Sequence, residues 1–162
     1  MINPHRKILG DIDSAKRALS DVRFNIVLAT GCFDLLHRGH VQLLVRSKLI
    51  LENQYSTMLV VGVNSDESIR ALKGKTRPVC PLEDRMYMVA SLECVDVVFY
   101  FKEPNAARAI RSVSPKVWVK GGDWKLSSLA PAERRAIKEV GSKVEFVKRI
   151  GSWSTTGLLR RL

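Results

Sequence analysis

FNIVLATGCFDLLHRGH, the stretch from Phe24 to His40, decides the fold. Phe24–Ala29 is a short, apolar, β-branched run of the kind that forms a buried strand, and Thr30-Gly31 turns the chain out of it. Beyond the loop, Val41, Leu44, Val45 and Leu49 recur at helical spacing, with Arg46 and Lys48 between them. The order is strand, loop, helix. Further along, Thr57–Val63 is a second continuous apolar run, as expected of a strand covered on both faces in a parallel sheet. Asn64-Ser65-Asp66 then caps a short helix through about Leu72. The basic Gly/Pro loop Lys73–Cys80 leads to Pro81, which opens a helix through about Leu92. Val95–Phe101, Lys116–Lys120 and Lys143–Val147 read as three more strands, with helices over Pro104–Val113 and Pro131–Val140 between them. Ser154–Leu162 begins with hydroxyl residues suited to the start of a terminal helix. Five strands alternating with helices predict an α/β domain: a parallel sheet built from right-handed crossovers and flanked by helices. The domain is expected over residues 24–162, preceded by a helix or arm over 1–23.

The chain has 162 residues, enough for one hydrophobic core, and its 46% hydrophobic and 27% charged residues are those of a globular domain. Its apolar runs fall far short of the ~20 residues of a membrane helix. The N-terminal residues run into charged sequence with no apolar signal core, which predicts a cytoplasmic protein. Cys32, Cys80 and Cys94 are widely spaced and odd in number, so they read as reduced thiols in a reducing compartment. Lys and Arg total 27 against 16 Asp and Glu, a net charge of +11 that attracts anionic partners.

Ligands of open α/β sheets bind beyond the carboxyl ends of the strands, so the loops there carry the chemistry. After the first strand, His37 and His40 stand three residues apart at a helix entrance with Gly39 between them. Free N–H groups and the positive end of the helix dipole make that entrance a site for phosphate oxygens, and the imidazoles add donors. Gly39 lets a phosphate come close to the backbone. Cys32, His37 and His40 lack a fourth ligand at zinc-like spacing, so no protein-held metal is expected. Gly74-Lys75-Thr76 resembles the end of a P-loop, but the first glycine of that pattern would fall at Ile69.

The segment GCFDLLHRGH, residues 31–40, resembles the signature of the cytidylyltransferase-like nucleotidyltransferases, whose HxGH pair contacts nucleotide phosphates. Residues 62–96, then VKGGDW at 119–124 and SWSTTGLL at 152–159, resemble in the same order the adenylyltransferase domain of bacterial ADP-heptose synthesis. The resemblance covers about residues 24–162. It implies a Rossmann-like domain and an enzyme that transfers AMP from ATP to a heptose 1-phosphate, with Mg²⁺, releasing pyrophosphate. A CTP-dependent glycerol-3-phosphate (polyol phosphate) cytidylyltransferase is the alternative. Trp124 and Arg149 lean that way.

On this resemblance His37, His40, Lys75 and Lys120 are the expected catalytic residues, and Lys73 and Lys75 hold the substrate phosphate. Thr30, Gly31, Cys32, Phe33, Asp34 and Gly39 shape the nucleotide site. Arg85, Gly121, Asp123, Arg149, Ser154, Thr155 and Thr156 complete it. The partners implied are a nucleoside triphosphate and a phosphorylated sugar or polyol, and a homodimer is expected. A nucleic-acid-binding module is the rival suggested by charge, including Arg134, Arg135, Arg160 and Arg161. The cations are spread along the chain and no nucleic-acid motif is present, so nucleic acid is disfavoured.

Overall fold

The apolar runs of the sequence become the strands of one parallel sheet in the computed structural model, which describes residues 3–53, 56–122, 124–148 and 155–159. In chain order the elements are β1 (Ile8–Asp11), α1 (Ile12–Leu19), β2 (Asn25–Gly31), α2 (Arg38–Lys48), β3 (Thr57–Asn64), α3 (Asp66–Lys73), α4 (Leu82–Ala90), β4 (Val97–Phe101), α5 (Ala107–Val113), β5 (Val117–Gly121), α6 (Pro131–Val140), β6 (Lys143–Val147) and α7 (Thr155–Leu159). The sheet order is β1-β4-β3-β2-β5-β6, with every pair parallel.

Six strands replace the expected five. The additional strand is β1, which pairs at the sheet edge with β4 through Ile8↔Val98 and Asp11↔Tyr100. Four half-buried residues interrupted by Gly10 carry neither an alternating pattern nor a continuous apolar run, so nothing in their sequence announces a strand. Asp11 leaves that strand directly into α1 as its N-cap, its carboxylate accepting the Ser14 N–H at 2.9 Å.

Continuous apolar runs are required because both faces of the sheet are covered. One face packs on α2 and α4, joining Val27, Ala29 and Val61 to Leu44, Met86 and Val89. The opposite face packs on α1, α5 and α6, where Leu28, Val60, Phe99 and Trp118 meet Ala15, Ile110 and Ala136. Trp118 is fully buried, and its indole N–H donates to Thr30 Oγ1 at 3.0 Å, which satisfies the one polar atom it takes into the core.

The strand order also locates the site. From β2 the chain moves one way through β3 to β4, then returns past β2 to place β5 and β6 on its other side. The connections leaving β2 and β5 therefore diverge, which opens a crevice at the carboxyl ends of those two strands.

Candidate active site

A cleft of about 510 Å³ occupies that crevice. Its floor is the chain leaving β2, Thr30–Asp34, and its walls come from α2, from the loop after β5, and from the start of α7.

His37 is the N-cap of α2, and its Nδ1 accepts the Gly39 N–H at 3.1 Å. An Nδ1 that accepts leaves the proton of the neutral ring on Nε2. His40 stacks on His37 with ring centroids 3.9 Å apart and planes inclined by 22°. Two imidazoles so close cannot comfortably carry charge together. Burial, with the His37 and Lys73 charges beside it, lowers the His40 pKa to about 3, so this ring is neutral at pH 7. Its Nδ1 is buried with no hydrogen-bond partner among the described residues. A neutral His40 still offers one ring N–H donor, whereas the backbone N–H groups of Gly39, His40 and Val41, expected to be free at this helix entrance, are all spent on His37.

The lowered value predicts acid sensitivity. Between pH 6.5 and about 3 the unfolded chain binds a proton at His40 that the folded chain refuses, so stability falls as pH drops through that window. Between pH 7 and pH 5 the loss is on the order of 1–2 kcal/mol. Urea midpoints measured at the two pH values should show it, and His40→Asn should flatten it; an unchanged slope in the variant would assign the sensitivity elsewhere.

Asp34 lines the cleft but spends its carboxylate on the protein. It accepts Arg77 Nε at 2.7 Å and the N–H groups of Val79 and Cys80 at 3.0 Å. Burial pushes its pKa up, but those N–H groups and the Arg77 charge outweigh it and hold the carboxyl below its usual range. The residue thus ties the floor of the cleft to the 74–80 loop.

Arg85 lies elsewhere than its expected nucleotide role requires. Its side chain is 1% exposed, and its donors reach the carbonyls of Cys80 at 2.9 Å, Cys32 at 2.6 Å and Asn64 at 2.8 Å, and the Asp66 carboxylate at 2.7 Å. It clasps three loops from behind and does not line the cleft.

Lys73 lines the cleft and Lys75 does not. Lys120 lines it from the end of β5, its Nζ 3.4 Å from Glu133 and 3.9 Å from the centre of the Trp124 ring. Burial lowers its pKa, and Glu133 opposes that shift. Gly121 is required by close approach: a Cβ there would stand 2.7 Å from Leu43 Cδ2 of α2. Gly31, Cys32, Phe33, Gly39, Gly121, Thr155 and Thr156 all face the cleft, and Thr155 Oγ1 donates to the Asp34 carbonyl at 2.6 Å. Asp123, Arg149 and Ser154 lie outside the described residues. Sequence reasoning passed over Gln42, Arg46 and Asn105, which also line the cleft. The signal for the first two was their i+3 and i+7 spacing from Gly39 on one helix face.

Among the described residues no three carboxylate, imidazole or thiol side chains are grouped as metal ligands. With Asp34 fully engaged by Arg77, Val79 and Cys80, these side chains do not fit a protein-held divalent cation.

A model of the family described as cytidylyltransferase-like matches residues 28–158. The chain is 36% identical over 155 residues to the "Bifunctional protein HldE" of Geobacter sulfurreducens, covering 96% of itself and 30% of that protein. It is 39% identical over 137 residues to the protein of the same name from Nitratiruptor sp., covering 85% of itself and 27% of that relative. It therefore spans about a third or less of these curated relatives. Among solved structures, a lipopolysaccharide core biosynthesis protein from Thermoplasma volcanium superposes with a TM-score of 0.59 at 29% identity, over 77% of this chain and 95% of that one. No helix among the described residues is long and apolar enough to cross a membrane.

Proposed function

The chain belongs to the cytidylyltransferase-like family and is a nucleotidyltransferase, and on that premise we propose that it transfers a nucleoside monophosphate, AMP in the first instance, to a heptose-type sugar 1-phosphate. The observation that carries this reading is the stacked His37–His40 pair at the N-terminus of α2, set at the crevice where the sheet connections diverge. A nonbridging oxygen of the sugar phosphate attacks the α-phosphorus of the triphosphate. The new P–O bond forms as the bond to the bridging oxygen breaks, and that oxygen leaves with pyrophosphate. A phosphate monoester is mostly ionised at pH 7, its second pKa being about 6, so the attacking group needs no base.

The protein's task is then placement and neutralisation of growing charge. His37 Nε2–H and the His40 ring N–H donate to phosphate oxygens. Lys73 and Lys120 bring cations to the cleft from α3 and β5. Thr155 and Thr156 close the phosphate end. Mg²⁺, when it accompanies the triphosphate, takes its ligands from phosphates and water, as is usual for that ion. The phosphorylated substrates belong to the cytoplasm, where we place the protein.

Trp124 in the cleft wall supports a second reading, a CTP-dependent polyol-phosphate cytidylyltransferase. Pyrophosphate release with Mg²⁺ distinguishes the two when ATP, CTP, GTP and UTP are crossed with sugar 1-phosphates and glycerol 3-phosphate. Release with ATP and a heptose 1-phosphate alone is the expected result. Release with CTP and glycerol 3-phosphate would replace the first reading with the second. Silence from a folded, nucleotide-binding sample would remove both.

A further inference from the structure

Glu133 is 3% exposed and lines the cleft from the first turn of α6, yet the transfer step gives it no task. Burying a carboxylate is costly unless its oxygens are satisfied. Here two helix starts satisfy them. Oε1 accepts the Ala106 N–H, at the entrance to α5, at 3.1 Å, and Oε2 accepts the Ala130 N–H, at the N-cap of α6, at 3.0 Å. A residue at this position of a helix caps it with an acceptor oxygen, and glutamine serves there as well as glutamate. The negative charge of Glu133 is therefore more than the cap of α6 requires.

That charge has one ion-pair partner among the described residues, Lys120. Its Nζ stands 3.4 Å from Oε1 and 3.5 Å from Oε2, astride the carboxylate. The same ammonium lies 3.9 Å from the centre of the Trp124 ring and 5.2 Å from that of the buried Trp118. Burial disfavours its charged form, and Glu133 is the group that opposes this. Both distances to the carboxylate are long for a hydrogen bond, so the pair guides the ammonium by charge and leaves its N–H groups able to turn to a phosphate oxygen. A lysine already held in place also loses less rotamer freedom when a ligand engages it.

We propose that Glu133 is a positioning residue for the transfer reaction: fixed by the starts of α5 and α6, its carboxylate holds the Lys120 ammonium in the cleft wall where a substrate phosphate meets it. Glu133 acts through Lys120 and touches no substrate itself. The loops after β4 and β5, which flank the crevice from opposite sides of β2, thereby set the place of a single cation. The inference rests on the reading of Lys120 as a phosphate-binding cation and adds what fixes it there.

The test is a double-mutant cycle in pyrophosphate release, run with the substrate pair on which the wild type turns over. Wild type, Lys120→Met, Glu133→Gln and the double variant are compared, each rate referred to the folded fraction from urea denaturation. Each single change should lower kcat/KM about tenfold, well within what a misplaced group costs. The double variant should also fall about tenfold, because Glu133 has nothing to act through once Lys120 is gone, whereas independent losses would multiply to about a hundredfold. Whichever of kcat and the two KM values moves in Lys120→Met should move in Glu133→Gln, while a general loosening of the fold would move all three. Should Glu133→Gln not fold, Glu133→Asp takes its place in the cycle: it keeps the cap and the charge one methylene further from Lys120, and a loss of about fivefold is expected, again with none added to Lys120→Met. A multiplied loss in the double variant, kcat/KM within about twofold of wild type in the Glu133 variant, or different constants moving in the two single variants overturns the assignment while leaving nucleotidyl transfer intact. No release by the wild type with any pair overturns both.

Discussion

Alanine at His37 or at His40 is expected to lower kcat by about a hundredfold or more, the scale found when one donor to a transition-state oxygen is removed. The loss should fall on kcat more than on KM, because negative charge on the transferring phosphoryl group grows only as the reaction proceeds. The two positions differ in their structural side effects. His37 also caps α2 through the Gly39 N–H, so its alanine variant should lose about 1 kcal/mol of stability in urea denaturation. His37→Asn supplies an alternative cap and should recover that stability without recovering turnover. His40 caps nothing and lies in the helix, so its effect on rate is not mediated by loss of the N-terminal turn. Turnover near wild type in both alanine variants would remove the imidazole pair from the mechanism.

The second large effect is on stability. Arg85→Met should cost about 3–5 kcal/mol, the range for breaking a buried ion pair from one side. Removing the guanidinium strands the carbonyls of Cys32, Asn64 and Cys80 together with the Asp66 carboxylate. Methionine fills much of the volume, so the measured loss reports hydrogen bonds and charge more than a cavity. Arg85→Lys should recover only part of it, since one ammonium cannot span acceptors that a planar fork reaches in different directions. A urea midpoint within 1 kcal/mol of wild type for Arg85→Met would show that the three loops are held by something else.

Arg85 also marks where sequence reasoning stopped short. An arginine at the start of a helix beside a phosphate-rich crevice looks the same in sequence whether its donors turn toward ligand or toward backbone. The decision lies in loop carbonyls contributed by residues as distant as Cys32, and no local pattern encodes those. The same limit explains Lys73 and Lys75, of which only the first faces the cleft; the turn of the chain at Gly74, with φ of +96°, separates them. What was legible is what periodicity and chemistry fix locally. The runs that became β2, β3, β4 and β5 were found within two residues, β6 and α6 were found at their observed bounds, and the His-Gly-His helix entrance emerged where the sheet crevice opens. The edge strand β1 was missed because half-buried edges leave a weak apolar signal. Gln42 was missed because a single polar residue between Val41 and Leu43 looks like an ordinary surface position until the opposite wall is in place.

The hydrogen bond from Thr155 to the Asp34 carbonyl joins residues 121 positions apart. Closing a loop of that length costs entropy that later contacts must repay, so such pairings tend to form last. As the chain emerges during synthesis, the strands from β2 to β6 and their covering helices are all made before Thr155 appears. The cleft thus acquires its final wall only after every strand of the sheet is made, and a nascent chain with a finished sheet still lacks the contact that closes it at Asp34.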